Sequence, residues 1–188
     1  TALELGYRHV DTAQAYCNER RVGAAIRSSA VDRDDVFLTT KLDGGSRENG
    51  AVQRSVRESL DRLGTDYLDM LLIHWPNDKP PFSPVRLPGG PPLAETLTAM
   101  NELVDEGLVR HVGVSNFDVR RLDEARRLSE APIVTNQVQF HPYWDQRDLL
   151  SYCRLNDVLL TAYSPLCHGG VLDDDVLREL GRRYGKTA

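Results

Sequence analysis

The 188-residue chain carries a net charge of −5, with 40% hydrophobic and 27% charged residues, the balance of an ordinary soluble domain with room for one sizeable core. No basic patch speaks for nucleic acid, no apolar run approaches a membrane span, and no signal peptide leads the chain, so neither nucleic acid nor membrane is expected as a partner. Cys17, Cys153 and Cys167 are too few and too scattered for a disulfide framework or a metal site. The expected compartment is a reducing cytoplasm, and no metal is implied. Arginine outnumbers lysine twenty to three, and aspartate outnumbers glutamate eighteen to ten. A high-GC genome and a salt-adapted surface both remain open as causes.

In chain order, the first apolar run is Tyr7–Val10, followed by Asp11. Next come Val36–Thr40, Leu68–Ile73, His111–Val114, Ile133–Val138 and Val158–Ala162. Their length and their content of Val, Ile and Leu suit strands buried on both faces. Helical periods lie between them. Val22, Ala25 and Ile26 share a face; Val52, Val56, Leu60 and Leu63 step by four, four and three. Leu93, Leu97, Met100 and Val104 repeat the pattern, with Gly107 as the expected stop. Val119, Leu122 and Ala125 follow Asp118, an expected N-cap. Leu149, Leu150 and Cys153 make the next stripe, and Val176, Leu177 and Leu180 the last.

Six repeats of strand, loop and helix predict an α/β fold with a parallel sheet. Periodicity alone leaves a doubly wound sheet and part of an eight-fold barrel both open. No G-x-G-x-x-G turn is present to announce a Rossmann sheet. A proline-rich loop over 77–92 breaks the rhythm, and a loop of that length is more often functional than idle. In a barrel it would lie at the mouth.

Polar residues gather where the apolar runs end. Asp11 closes the first run, with Tyr16 five residues on; Lys41 closes the second, His74 and Trp75 the third, Ser115 and Asn116 the fourth. Asn136 and Gln137 lie in the fifth, and Tyr163 and Ser164 close the sixth. Parallel α/β folds carry their sites at the carboxyl ends of the strands. Asp and Lys are costly to bury singly and tolerable as a pair. A lysine cation beside a tyrosine hydroxyl is expected to lower the tyrosine pKa, and a tyrosine so tuned can exchange a proton near neutral pH. A neighbouring histidine can orient a carbonyl oxygen. Side-chain amides can hold a carboxamide, and a tyrosine ring can stack on a flat heterocycle.

Each of these residues has a blander reading when taken alone. Asp11 would be a turn residue, His74 a structural histidine before Trp-Pro, Tyr163 core and Lys41 a solvated charge. His141 is expected to shape a turn, and the three cysteines to be inert.

The order of six strings changes that balance. G-Y-R-H-V-D-T-A-Q-A-Y-C-N-E, T-T-K-L, L-L-I-H-W-P, V-G-V-S-N-F, N-Q-V-Q-F-H-P-Y and A-Y-S-P-L resemble the signatures of the aldo-keto reductase family, across nearly the whole chain. The resemblance is to the prokaryotic branch that includes diketogluconate reductase-like enzymes. It implies a (β/α)8 TIM barrel and reduction of aldehydes or ketones by hydride from NADPH, with NADH possible. It also implies a small carbonyl substrate as partner and a monomer when full-length. By the same resemblance Tyr16 is the general acid, Lys41 tunes it, Asp11 pairs with Lys41 and His74 orients the carbonyl. Ser115, Asn116 and Gln137 would hold the nicotinamide carboxamide and Tyr163 would stack on the ring. Ser164 and Leu166 would line the pyrophosphate path. Trp75, with Tyr16, His74 and the 77–92 loop, would border the substrate.

The chain departs from the family pattern in three places. Asp43-Gly44-Gly45 stands where an aromatic residue is common, implying a wider, more polar mouth. Cys17 replaces a small residue. By resemblance Thr1–Leu5 is the tail of the first helix and the chain stops before the eighth strand. The expectation is therefore one barrel domain over residues 1–188, represented by units two to seven and truncated at both ends. A cofactor-binding regulatory module and an inactive fragment are the alternatives.

Overall fold

The computed structural model describes residues 2–43, 50–76 and 92–188. The 77–91 stretch of the proline-rich loop and Gly44–Gly45 lie outside the described residues, so the expectations placed on them are not addressed.

Six strands form one parallel sheet: β1 (His9–Asp11), β2 (Phe37–Leu42), β3 (Leu68–Ile73), β4 (Val109–Ser115), β5 (Ile133–Gln139) and β6 (Leu159–Tyr163). Their spatial order is their chain order. A doubly wound sheet reverses its strand order at a switch point, and no reversal occurs here. Among the described residues, six α-helices alternate with the strands: α1 (Glu19–Arg27), α2 (Ala51–Leu63), α3 (Leu93–Asp105), α4 (Val119–Leu128), α5 (Arg147–Leu155) and α6 (Asp175–Tyr184). The arrangement is that of part of a (β/α)8 barrel.

The helices form where the periodicity placed them, for local reasons. Val52, Val56, Leu60 and Leu63 of α2 are all buried against the sheet, and Gly64 ends the helix in the left-handed region with its N–H on the Leu60 carbonyl. Asp118 caps α4 as expected: its carboxylate accepts from Arg121 N at 2.8 Å. Residues 2–7 form the closing turn of a helical stop. Tyr7 N donates to Ala2 O and Gly6 N to Leu3 O, both at 3.1 Å, with Gly6 at φ +95°. This paired bonding is the Schellman pattern.

All six residues of β3 are buried, consistent with a strand covered on both faces. The outer layer of the core joins Leu38, Leu71, Ile73, Val112 and Val114 to Leu63, Leu97, Met100, Leu103 and Leu122. Gly113 marks a close approach in β4: a Cβ there would stand 2.8 Å from Thr135 O and 2.8 Å from a Leu72 methyl. The β4–β5 register also shifts between Val112 and Val114, and the shift aims Ser115 at Gln137.

At the amino end of the sheet, buried Asp69 joins three elements. Its Oδ2 accepts from Leu38 N and Arg33 Nη1, and its Oδ1 from Arg110 Nη1, each at 2.9 Å. The two guanidinium carbons stand 4.1 and 4.0 Å from the Tyr67 ring centroid. This clamp ties β2, β3 and β4 together at the end opposite the polar cluster. Among the described residues, no helix is long and apolar enough to cross a membrane.

Candidate active site

The residues that the sequence singled out stand at the carboxyl ends of the strands. Lys41 does not close β2, because the strand runs on to Leu42. Alternation therefore sends Leu38, Thr40 and Leu42 outward to the helices and Thr39 and Lys41 inward. The buried Lys41 ammonium donates to Asp11 Oδ1 and, at 3.0 Å, to the Thr12 carbonyl. The second Asp11 oxygen accepts from Gln137 Nε2 at 2.8 Å. A buried ammonium is tolerable when paired and hydrogen-bonded in this way.

Tyr16 ends a short 3₁₀ turn over Gln14–Tyr16. Lys41 Nζ is 5.2 Å from its ring centroid. The His74 ring meets it edge-on at 5.6 Å. Asp11, Tyr16, Lys41 and His74 are thus brought together. Trp75 lies beside His74, with ring centroids 6.2 Å apart.

The amide group converges from the other side. Asn116, at φ +65°, donates from Nδ2 to the His74 carbonyl and to Ser115 Oγ, both at 3.0 Å. Its Oδ1 accepts from the Tyr163 hydroxyl at 3.0 Å. Ser115 Oγ donates to the Gln137 carbonyl at 2.7 Å. Ser115, Asn116, Gln137 and Tyr163 therefore form one network that joins the Lys41–Asp11 pair through Gln137. Ser164 and Leu166 lie just beyond β6. The Ser164 hydroxyl is 3.3 Å from His168 Nε2, and Leu166 is half exposed.

The electrostatics correct one expectation. The Tyr16 pKa is raised from 10.0, not lowered. Burial is the largest cause, followed by the negative charge of Asp11 and then Tyr163. Withdrawal from water disfavours the phenolate and the Asp11 charge opposes it further, while the lysine cation is engaged by Asp11 and Thr12. Lys41 itself is lowered by burial, against the pull of Asp11. His74 falls to about 4, through burial and then the Lys41 charge, so its imidazole is neutral at pH 7 and can donate one hydrogen bond.

Several supporting residues were not singled out by the sequence. The Thr12 hydroxyl donates to Asn18 Oδ1 at 2.6 Å. Glu19, buried at the start of α1, accepts from Thr40 Oγ1 and Arg62 Nε, each at 2.7 Å. Gln14 bridges the Tyr16 turn to α2 and to Asp43. Glu19 left no signal in the sequence, because an acidic residue in the first turn of a helix is ordinarily solvated and its partners lie 21 and 43 residues away.

The aldo/keto reductase family model matches residues 1–186, and the chain belongs to that family. Over 186 residues it is 37% identical to glyoxal reductase of Bacillus subtilis (strain 168), covering 99% of this chain and 63% of the relative. It is 36% identical over 188 residues to methylglyoxal reductase DkgB of Escherichia coli O157:H7, covering 100% and 67%. A crystal structure provisionally named 2,5-diketo-D-gluconic acid reductase B matches with a TM-score of 0.89 and 48% identity, covering 99% of this chain and 62% of that one. The chain thus spans about three fifths of the length of the glyoxal reductase and of that crystal structure.

Proposed function

We propose that this chain carries the catalytic core of an NAD(P)H-dependent carbonyl reductase, with Tyr16 as the proton donor. The observation that carries the reading is the meeting of Tyr16, His74 and the Lys41–Asp11 pair at one end of the sheet. Family membership supports it. We read the six strands as units two to seven of the barrel.

The residues present fit a nicotinamide. Ser115, Asn116 and Gln137 offer hydroxyl and carboxamide groups suited to a carboxamide, and Tyr163 offers a half-buried ring beside them. Ser164 and Leu166, on the following loop, would meet the pyrophosphate. When bound, the cofactor supplies the hydride. NADPH is the proposed form, with NADH as the comparison.

The protein's own part is proton supply and orientation. The Tyr16 phenol, with its pKa above the ordinary 10.0, is protonated at neutral pH as any phenol would be, so it can give its proton to the carbonyl oxygen as that oxygen gains charge. Neutral His74 donates a hydrogen bond to the same oxygen and fixes its direction. Lys41, held by Asp11, places a positive charge beside the tyrosine ring, where it favours the phenolate that remains after transfer. Trp75, Tyr16 and His74 border the substrate. The relatives' names make glyoxal and methylglyoxal the first substrates to try. A reducing cytoplasm is the proposed compartment, and a monomer the proposed state of the full-length protein.

The test is steady-state oxidation of NADPH with glyoxal or methylglyoxal, comparing the parent with Tyr16→Phe. Turnover in the parent with loss in the variant supports the proposal. Undiminished turnover in Tyr16→Phe would overturn it.

A further inference from the structure

We propose that Gln14 is a positioning residue for Tyr16, clamping the turn that carries the hydroxyl between α2 and the end of the Lys41 strand. The inference rests on the reading of Tyr16 as proton donor.

The clamp has defined chemistry. The Gln14 Oε1 accepts from Asp43 N at 2.8 Å. Its Nε2 donates to Ser55 O at 3.2 Å, Ser55 Oγ at 3.1 Å and Ser59 Oγ at 3.0 Å. A peptide N–H can only donate and a carbonyl can only accept, so both ends of the carboxamide are assigned by their partners. One side chain thus connects three elements: the turn after β1, the residue following β2, and the middle of α2.

The position matters because the turn is short and bent. Tyr16 N donates to Ala13 O at 3.0 Å and Cys17 N to Gln14 O at 3.2 Å. Cys17 then takes φ +53°, a conformation a non-glycine residue holds only when its surroundings fix it. Ties further along hold the flanks, at Thr12 with Asn18 and at Glu19 with Thr40. Gln14 lies within the turn itself, two residues from Tyr16. Lys41 holds the chain just before the turn, through the Thr12 carbonyl. The clamp on Asp43 therefore fixes the end of β2 and the tyrosine turn relative to each other. Misplacement of a reacting group by about 1 Å can cost about a hundredfold in rate.

The first test needs no turnover. NMR of tyrosine labelled at Cζ follows the Tyr16 titration, with the signal assigned by Tyr16→Phe. The groups facing Tyr16 are Asp11, Lys41, His74 and Tyr163. With Gln14→Ala the turn loosens and gains water, so the Tyr16 midpoint should move down toward the ordinary 10.0. Tyr143, which is raised by its bond to Asp174, should not move. Ser59→Ala removes one acceptor of the clamp and should shift Tyr16 the same way by less. A Tyr16 midpoint unmoved in Gln14→Ala, or in Ser59→Ala should Gln14→Ala fail to fold, would overturn the proposal.

The second test uses turnover. Gln14→Ala should lower kcat by about tenfold to a hundredfold with the cofactor KM nearly unchanged. That loss should vanish in a Tyr16→Phe background, because a residue acting through Tyr16 has nothing left to position. Equal losses in both backgrounds would make Gln14 merely structural. If Tyr16→Phe alone leaves turnover intact, the proton-donor reading fails, and the titration still reports on Gln14.

Discussion

Gln137 Nε2 donates to Asp11 Oδ2 at 2.8 Å, although three strands separate β5 from β1. In a flat sheet those two strands would stand about 19 Å apart, four spacings of nearly 5 Å. The bond exists because the sheet curls and brings the inward faces of β1 and β5 across one interior. That curl also lets Tyr16, after β1, share a site with Asn116, after β4. Replacing Gln137 with Met should leave one Asp11 oxygen without its donor and lower stability by about 0.5–1.5 kcal/mol. Urea denaturation would show a lower midpoint at an unchanged slope; a variant as stable as the parent would mean that the bond carries no weight.

Tyr16→Phe removes the acid and keeps the ring, including its edge contact with His74. Carbonyl reduction should fall by about 10² to 10⁴, while cofactor affinity measured by fluorescence quenching stays close to that of the parent. If affinity collapses along with turnover, the hydroxyl serves the fold or the cofactor seat and not proton transfer.

Lys41→Met leaves Asp11 without its cation. The carboxylate that already opposes the Tyr16 phenolate then acts uncompensated, so the Tyr16 midpoint should rise further. In reduction the alkaline limb of the pH–rate profile should move up with it, as turnover drops. A profile of unchanged shape would show that Asp11 and burial alone set the tyrosine.

Much of this was legible in the sequence, and what was not shares one physical cause. The inner strands followed from apolar runs, because a strand buried on both faces needs little else; Leu68–Ile73 matches residue for residue. The outer two depart from that expectation: β1 and β6 are exposed or half-buried, and β1 starts two residues after the Tyr7–Val10 run begins. The Asp118 cap was legible because its partner lies three residues away. The direction of the Tyr16 shift was not, since it depends first on how far the fold buries the hydroxyl and then on the facing Asp11 charge. The Gln14 clamp was equally hidden: Ser55 and Ser59 lie 41 and 45 residues further along the chain. Gln137 was legible as an amide near the site. Its bond to Asp11, 126 residues away, required the curl of the sheet.

Asp69→Ala should destabilise the fold without altering the chemistry at the other end of the strands. The variant strands the Leu38 amide, whose acceptor is Asp69 Oδ2. A buried unsatisfied N–H costs about 1–3 kcal/mol. Loss of the half-exposed Arg110 pair adds less than about 1 kcal/mol. Urea denaturation should show a lower midpoint at an unchanged slope, with the Tyr16 titration as in the parent. Equal stability of variant and parent would contradict the clamp.

His74 gives the fold a pH dependence whose sign can be worked out. Its pKa is about 4 in the folded protein against an ordinary 6.5, because burial and then Lys41 oppose the imidazolium. Between those two values the unfolded chain binds a proton that the folded chain refuses. Stability therefore falls as the pH drops from about 6.5 toward about 4, and this group adds no further loss below that. Carboxylates titrate in the same region, so the parent's profile alone cannot isolate the histidine. His74→Gln keeps a hydrogen-bonding side chain and removes the titration. The difference between parent and variant in urea stability, followed from neutral pH down to about pH 4, should grow steadily in the variant's favour. The substrate-orienting role should behave differently. Above pH 6.5 both forms carry a neutral side chain at position 74, yet the variant should still turn over more slowly, because an amide does not aim its donor as the imidazole does. A stability difference that stays constant with pH would show that His74 is not held neutral by its burial and by Lys41.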